Sequence, residues 1–189
     1  GRWAAQHGSA RIHGHEQGVE AVRSTLKGAG EIEVKYLTLY AFSTENWKRP
    51  KDEIDALMRL LVQAIENETD ELMGYNVRLA AIGDLDKLPP EVNKKLNECI
   101  KKLDKNTGLN LILALSYSSK WEITEAARKI ACEVKKGELN AGDIDDELFA
   151  KYLPSAFLPD PDLLIRTSGE FRISNFLLLQ IAYSELYFT

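Results

Sequence analysis

Arg166 and Arg172 stand six positions apart around Gly169 in the run RTSGEFRIS, with Ile173 and Ser174 closing it. A guanidinium grips phosphate through parallel N–H donors, and a helix N-terminus adds backbone donors and a favourable dipole. The spacing predicts a cationic cradle for a phosphorylated group, with Ser174 capping a helix that begins near Asn175. The plainer reading is two surface arginines beside a turn. A second cluster runs Phe42, Ser43, Thr44, Glu45, Asn46, Trp47, Lys48, Arg49 ahead of Pro50. Hydroxyl, carboxylate, amide, indole and guanidinium groups in succession mark a binding loop, and the proline holds Arg49 extended so that its side chain is presented. Otherwise Ser43 and Asn46 organise a turn and Trp47 is core. At the chain start Arg2, Arg11, His13 and His15 offer a second anion pocket, or proton chemistry by His15 at a helix start. A metal on the alternating histidines lacks a third ligand.

These groups need elements to position them. Short runs rich in Val, Ile, Leu and aromatics, ending in turn formers, read as strands at 34–40, 76–82, 109–115, 162–165 and 185–188. Between them the helical period appears in Val19, Val22, Leu26, in Ile54, Leu57, Met58, Leu61, Ile65, Leu72, and in Val92, Leu96, Ile100, Leu103. It returns in Ile123, Ala127, Ile130, Val134, and in Ile144, Leu148, Tyr152, the last opened by Asp145, Asp146 and Glu147. Alternating strands and helices predict an α/β fold, a mainly parallel central sheet flanked by helices. Ligands of such sheets bind beyond the carboxyl ends of the strands. The segments there, AFSTENWKRP, SYSSKWE and RTSGEFRISN, are the polar ones, whereas GDLDKLPP reads as a plain turn.

Composition narrows the chemistry further. The 189 residues suit one domain, and 24 Lys and Arg against 29 Asp and Glu leave a net charge of −5. A chain of that sign is a poor nucleic-acid coat, so any anion is held locally. Cys99 and Cys132 encode neither a disulfide framework nor a zinc site, which points to a reducing cytosol. The most apolar stretch, residues 176–182, is far short of the ~20 residues of a spanning helix. GxxxxGK[ST], GxGxxG and GxSxG are all absent, against a P-loop nucleotidase, a Rossmann enzyme and a serine hydrolase.

Five segments together carry a resemblance. GRWA at 1–4, RIHGH at 11–15, YLTLYAFSTENWKRP at 36–50, DPDLLIRTSGEFRISNFLL at 160–178 and AYSELYFT at 182–189 resemble the cis-prenyltransferase family, in particular its bacterial undecaprenyl diphosphate synthases. The resemblance spans the chain. It implies a cytoplasmic homodimer that adds isopentenyl diphosphate repeatedly, in cis, onto an allylic diphosphate such as farnesyl diphosphate. Mg2+ is required, and the product is a long polyprenyl diphosphate lipid carrier of cell-wall peptidoglycan synthesis. Peripheral contact with the inner face of the membrane follows from the lipid product. A noncatalytic partner subunit of the same fold is the alternative, disfavoured by two intact polar motifs.

Carried over position by position, Gly1, Arg2, Trp3, Arg11 and Arg49 grip the allylic diphosphate, with His15 beside it. Arg166, Arg172, Ile173 and Ser174 hold isopentenyl diphosphate. Asn46 sits where the family's proton acceptor is proposed, and Ser43, Thr44, Glu45 and Trp47 shape the reacting centre. A neutral amide is a poor base, so a pyrophosphate oxygen or a water relay competes for that role. Glu185 matches a magnesium ligand. The family's other ligand, an aspartate, lies on a strand upstream of Gly1, so residues 1–189 read as a single domain cut at both ends. The chain departs from the resemblance at Ser118, Ser119 and Lys120, where many members carry two glycines and an arginine, and at Phe171, a histidine in some. Apolar residues such as Leu57, Leu61, Ile65, Leu111 and Leu113 are expected to wall the tunnel for the growing chain.

Overall fold

A computed structural model of the chain describes the backbone of residues 11–189 and the side chains of residues 18–189. It divides into two compact units, Gly1–Ser116 and Tyr117–Thr189.

In the first unit, helix α1 (Arg11–Glu31) leads to strand β1 (Tyr36–Ser43), followed by α2 (Lys51–Gly74), β2 (Arg78–Ile82), α3 (Pro90–Lys102) and β3 (Asn110–Tyr117), whose last residue opens the second unit. The strand order is β1-β3-β2, with β2 and β3 parallel in the register Arg78 to Asn110 through Ile82 to Ala114. The central strand β3 is buried almost throughout, as a parallel strand covered on both faces must be. Leu96 and Leu103 are fully buried against it in one apolar cluster with Met58, Ile65, Leu72, Leu79, Val92, Leu109, Leu111 and Leu115. Truncating a side chain such as Leu96 to Ala costs about 2–5 kcal/mol at a site of this kind.

The helices form where the period placed them, for local reasons. Asp52 and Glu53 lie in the first turn of α2, and α3 opens on Pro90 with Glu91 behind it and closes on Lys101 and Lys102. Helix α1, which carries the expected period at Val19, Val22 and Leu26, runs on to Glu31. It stops because Glu33 takes a left-handed conformation (φ 58°) while Val34 N–H reaches back to the Ala29 carbonyl at 2.9 Å. That clasp consumes Val34, so β1 starts at Tyr36 rather than 34.

The second unit holds α4 (Ser119–Lys136), α5 (Asp146–Tyr152), β4 (Leu163–Arg166) and β5 (Glu185–Phe188), the last two forming a parallel pair. Ser118 caps α4, Gly137 ends it in a left-handed conformation, and Asp145 caps α5 by accepting from Leu148 N–H at 2.8 Å. The buried face of α4 is Ser119, Glu122, Ala126 and Ile130, and Ala127 is exposed. This corrects the stripe expected through Ile123 and Ala127. A carboxylate takes the buried position because, as shown below, it is surrounded by donors.

A further correction concerns the segment after Ser174. No helix begins at Asn175: residues 175–177 are bends and 178–183 turns, and Ser174 has φ 58°, outside the extended region an N-cap occupies. Among the described residues no helix is long and apolar enough to cross a membrane.

Candidate functional site

Strand β1 delivers the first polar cluster. At its end Ser43 turns the chain into a 3-10 segment, Thr44–Lys48. The Asn46 side-chain oxygen accepts the Ser43 backbone N–H at 3.2 Å, and the Asn46 carbonyl accepts Arg49 N–H at 3.1 Å. Asn46 therefore holds the loop closed with its acceptor, and its NH2 group can act only as a donor. Arg49 is extended (φ −71°, ψ 162°), as the following proline demands, and its Nη1 meets Glu53 Oε1 at 3.0 Å. A guanidinium steadied by a carboxylate one helical turn away keeps donors for an incoming phosphate in a defined place.

Trp47 is fixed from two sides. Its ring meets buried Phe42 edge to face, with centroids 4.8 Å apart, and its Nε1–H donates to Ser116 Oγ at 2.9 Å. Ser116 itself is fully buried with φ 49°, an uncommon conformation for serine, and its carbonyl accepts Asp84 N–H at 3.1 Å. Gly83, at φ 126°, lets the turn after β2 approach this closely. A Cβ there would stand 1.9 Å from the Leu115 carbonyl oxygen, so no other residue fits without moving the backbone. The segment that read as a plain turn is thus a packing support for the loop carrying Trp47.

The second polar cluster follows β4 in the other unit. Half-buried Arg166 ends β4, and the Arg166 carbonyl accepts Thr189 N–H at 2.9 Å while Gly169 N–H donates to the Thr189 carbonyl at 3.0 Å. These two bonds close the loop on the β5 strand. Arg172 is exposed and pairs through Nη1 with Glu170; Ile173 and Ser174 are half-buried. Phe171 is exposed and lies against the Phe188 ring, centroids 5.7 Å apart. Glu185, the first residue of β5, is exposed and donates its backbone N–H to the Asp162 carbonyl at 2.8 Å.

The same unit holds a network the sequence reading missed. Glu122 is fully buried, yet it accepts from the Tyr117 hydroxyl, from Ser155 Oγ at 2.8 Å and from Gln180 Nε2 at 3.0 Å. Gln180 Nε2 also reaches Ser155 Oγ at 2.7 Å. Three donors allow the carboxylate to be buried without a cation. Burial, then the bond to Glu122, pushes the Tyr117 hydroxyl well above its ordinary pKa, so it stays a donor. The one sequence signal was Glu122 directly beside an apolar helical stripe, which periodicity reads as solvent-facing.

The expected residues therefore fall in two groups. Ser43, Thr44, Glu45, Asn46, Trp47 and Arg49 are brought together at the end of β1. Arg166, Arg172, Ile173 and Ser174 share the loop after β4, and Glu185 opens the neighbouring strand. Gly1, Arg2 and Trp3 lie outside the described residues; Arg11 and His15 are on α1, their side chains outside the described set. Ile65 and Leu111 are buried core residues, with Leu57, Leu61 and Leu113 packed against that core. Among the described residues no three His, Cys, Asp or Glu side chains cluster as a metal centre. Magnesium commonly takes one or two protein carboxylates and completes its shell with water and substrate phosphates. An exposed carboxylate at Glu185 fits one such donor.

Each unit of this α/β chain carries an arginine-bearing polar loop at a strand end, and such loops belong to a class of proteins suited to binding phosphorylated ligands. Comparison with known proteins gives the family. The family model described as "Putative undecaprenyl diphosphate synthase" matches residues 1–189, and the chain belongs to that family of cis-prenyltransferases. An isoprenyl transferase of Chlorobaculum tepidum is 52% identical over all of this chain and 71% of its own length. A ditrans,polycis-undecaprenyl-diphosphate synthase of Aliivibrio fischeri, (2E,6E)-farnesyl-diphosphate specific, is 45% identical over all of this chain and 75% of its own. Among solved structures, lavandulyl diphosphate synthase from Lavandula x intermedia, in complex with dimethylallyl diphosphate, superposes with a TM-score of 0.95 at 36% identity, covering 100% of this chain and 81% of that one. A structure described as "a probable undecaprenyl diphosphate synthase" from Campylobacter jejuni gives 0.79 at 37% identity, covering 92% and 79%.

Proposed function

We propose that this protein condenses isopentenyl diphosphate repeatedly onto farnesyl diphosphate, each new double bond cis, to give a long polyprenyl diphosphate. The observation that carries this reading is the family match over residues 1–189, within which both arginine-bearing loops fall. The relatives described above are named as transferases or synthases, and a noncatalytic partner subunit draws no support from them.

The chemistry asks the site for three things. As the allylic carbon–oxygen bond breaks, negative charge grows on the departing diphosphate and must be met by fixed donors; Arg49, with Gly1, Arg2 and Arg11 from the chain start and His15 beside them, is assigned that work. The isopentenyl double bond must be aimed at the allylic carbon, which is the task of Arg166, Arg172, Ile173 and Ser174 gripping its diphosphate. A proton must then leave the new cation. Asn46 has its amide oxygen committed to Ser43 N–H, so it serves better as a donor to a substrate oxygen, and a diphosphate oxygen is the better proton acceptor. Ser43, Thr44, Glu45 and Trp47 shape the reacting centre around it. Mg2+, when bound, supplies positive charge to the departing diphosphate, and Glu185 is the described residue that would help hold it.

The same reading makes the protein a cytoplasmic homodimer, with peripheral contact at the inner face of the membrane through a product serving cell-wall synthesis. Incubation with labelled isopentenyl diphosphate, farnesyl diphosphate and Mg2+, followed by sizing of the product, tests it: a ladder of five-carbon steps is expected, and no extended product refutes it. Arg172→Ala removes a charge-assisted contact to phosphate and should raise the KM for isopentenyl diphosphate about 10- to 100-fold. Equal loss for both substrates would contradict the assignment of Arg172 to one pocket.

A further inference from the structure

The loop assigned to isopentenyl diphosphate is built on an unusual backbone. Ser168 (φ 73°), Ser174 (φ 58°), Asn175 (φ 62°) and Leu177 (φ 46°) all lie in the left-handed region. Asparagine visits that region readily, but serine does so rarely and leucine hardly at all, because the Cβ crowds the backbone. Strained residues in close succession persist only where the surroundings over-determine them.

For Ser174 to Leu177 those surroundings are the first turn of α4. Ser119 N–H donates to the Asn175 carbonyl at 2.8 Å, and Lys120 N–H donates to Asn175 Oδ1 at 3.0 Å. In return, Leu178 N–H donates to Ser119 Oγ at 2.6 Å. Ser119 is fully buried. The first N–H groups of any helix lack partners within the helix. Ser118 Oγ takes one of them, that of Trp121, and Asn175 takes two more from a distant part of the chain. Two residues beyond Leu178, Gln180 is tied to Glu122 and Ser155. The strained run is thus gripped at its middle and just past its end, and Ser174 is the residue immediately before the grip.

We propose that Ser119 and Asn175 are positioning residues for the isopentenyl diphosphate cradle. Asn175 is clamped by both of its oxygens onto the helix start, and Ser119 Oγ fixes the Leu178 backbone N–H. Together they hold Ser174 and the preceding Arg172 in the bound geometry before substrate arrives. The gain is pre-organisation: a loop already ordered does not lose that freedom on binding. The proposal deepens the reading above and rests on its assignment of Arg172 and Ser174.

The experiment compares Ser119→Ala, Asn175→Gly and Asn175→Asp in the full chain. Ser119→Ala deletes the acceptor for Leu178 N–H. Asn175→Gly keeps the left-handed backbone without strain, removes the side chain with its acceptor, and leaves the backbone carbonyl that receives Ser119 N–H. Asn175→Asp keeps that acceptor and adds a charge favoured at a helix start. Two readouts are taken: KM for each substrate, and hydrogen exchange of peptides spanning residues 174–181. Ser119→Ala and Asn175→Gly should raise the KM for isopentenyl diphosphate about tenfold, as loss of one buried hydrogen bond does, with the KM for farnesyl diphosphate unchanged. Exchange at 174–181 should accelerate in both, and Asn175→Asp should stay near wild type in both readouts. If Ser119→Ala does not fold, the two Asn175 variants carry the test alone.

Equal changes in both KM values, or unaltered exchange, overturn the clasp. A wild-type protein that elongates nothing overturns the functional reading instead, and exchange, which needs no substrate, still decides whether Ser119 and Asn175 hold the segment.

Discussion

Glu122 is the most consequential buried group in the second unit, and its removal can be worked out from its partners. In Glu122→Ala the hydroxyls of Tyr117 and Ser155 and the Gln180 amide lose their acceptor. Gln180 Nε2 keeps Ser155 Oγ at 2.7 Å, and Tyr117 has a poor substitute in Ser119 Oγ at 3.4 Å. That leaves the Ser155 hydroxyl without an acceptor and the Tyr117 hydroxyl weakly paired. At about 1–3 kcal/mol for each orphaned buried donor, the loss is roughly 2–6 kcal/mol. Glu122→Gln keeps the volume and one acceptor oxygen but places NH2 among donors, so a smaller cost of about 1–2 kcal/mol is expected as the hydroxyls rotate to accept. Total stabilities of about 5–15 kcal/mol make the first substitution severe and the second tolerable. Urea unfolding followed by near-ultraviolet circular dichroism measures both as shifts of the midpoint at constant slope. The order wild type, Gln, Ala is the expected result. An alanine variant within 1 kcal/mol of wild type would show that the network does not hold this unit together.

Two further outcomes are expected. Trp47→Phe keeps an aromatic ring beside Phe42 but loses one ring of the indole and with it the donor to Ser116, so the KM for farnesyl diphosphate should rise about fivefold, with isopentenyl diphosphate unaffected in the same steady-state assay; no change would make the Trp47 anchor incidental to the loop. Tyr117 titrates higher in the folded chain than the usual ~10, so the folded state holds its proton more tightly; the resulting stability is complete below about pH 10 and is lost as pH rises through the folded value. Thermal unfolding from pH 8 to 11 should therefore show a decline that Tyr117→Phe flattens, and a parallel decline in both proteins would refute the assignment.

What the sequence alone determined is what depends on near neighbours and on side-chain chemistry. The 3.6 period located α2 and α3, since amphipathic spacing is a direct record of which face is buried, and the apolar run at β3 announced a strand covered on both faces. The polar loops after β1 and β4 were legible because their arginine, hydroxyl and amide residues directly follow apolar strand runs, and the extended Arg49 followed from its proline alone. Tertiary structure decided the partners. Glu122 looks solvent-facing by period, and only the approach of Ser155 and Gln180 from distant positions, beside Tyr117 five residues before it, lets it be buried. The helix expected at Asn175 was lost to the same cause: the donors at the start of α4 offered Asn175 better partners than a local turn could, and the backbone there bent left-handed to reach them. Gly83 and Ser116 likewise gain their roles from a strand that is adjacent in space and remote in sequence. Periodicity and motif report what a residue is able to do, whereas a hydrogen bond across tens of residues exists only once the chain has closed on itself.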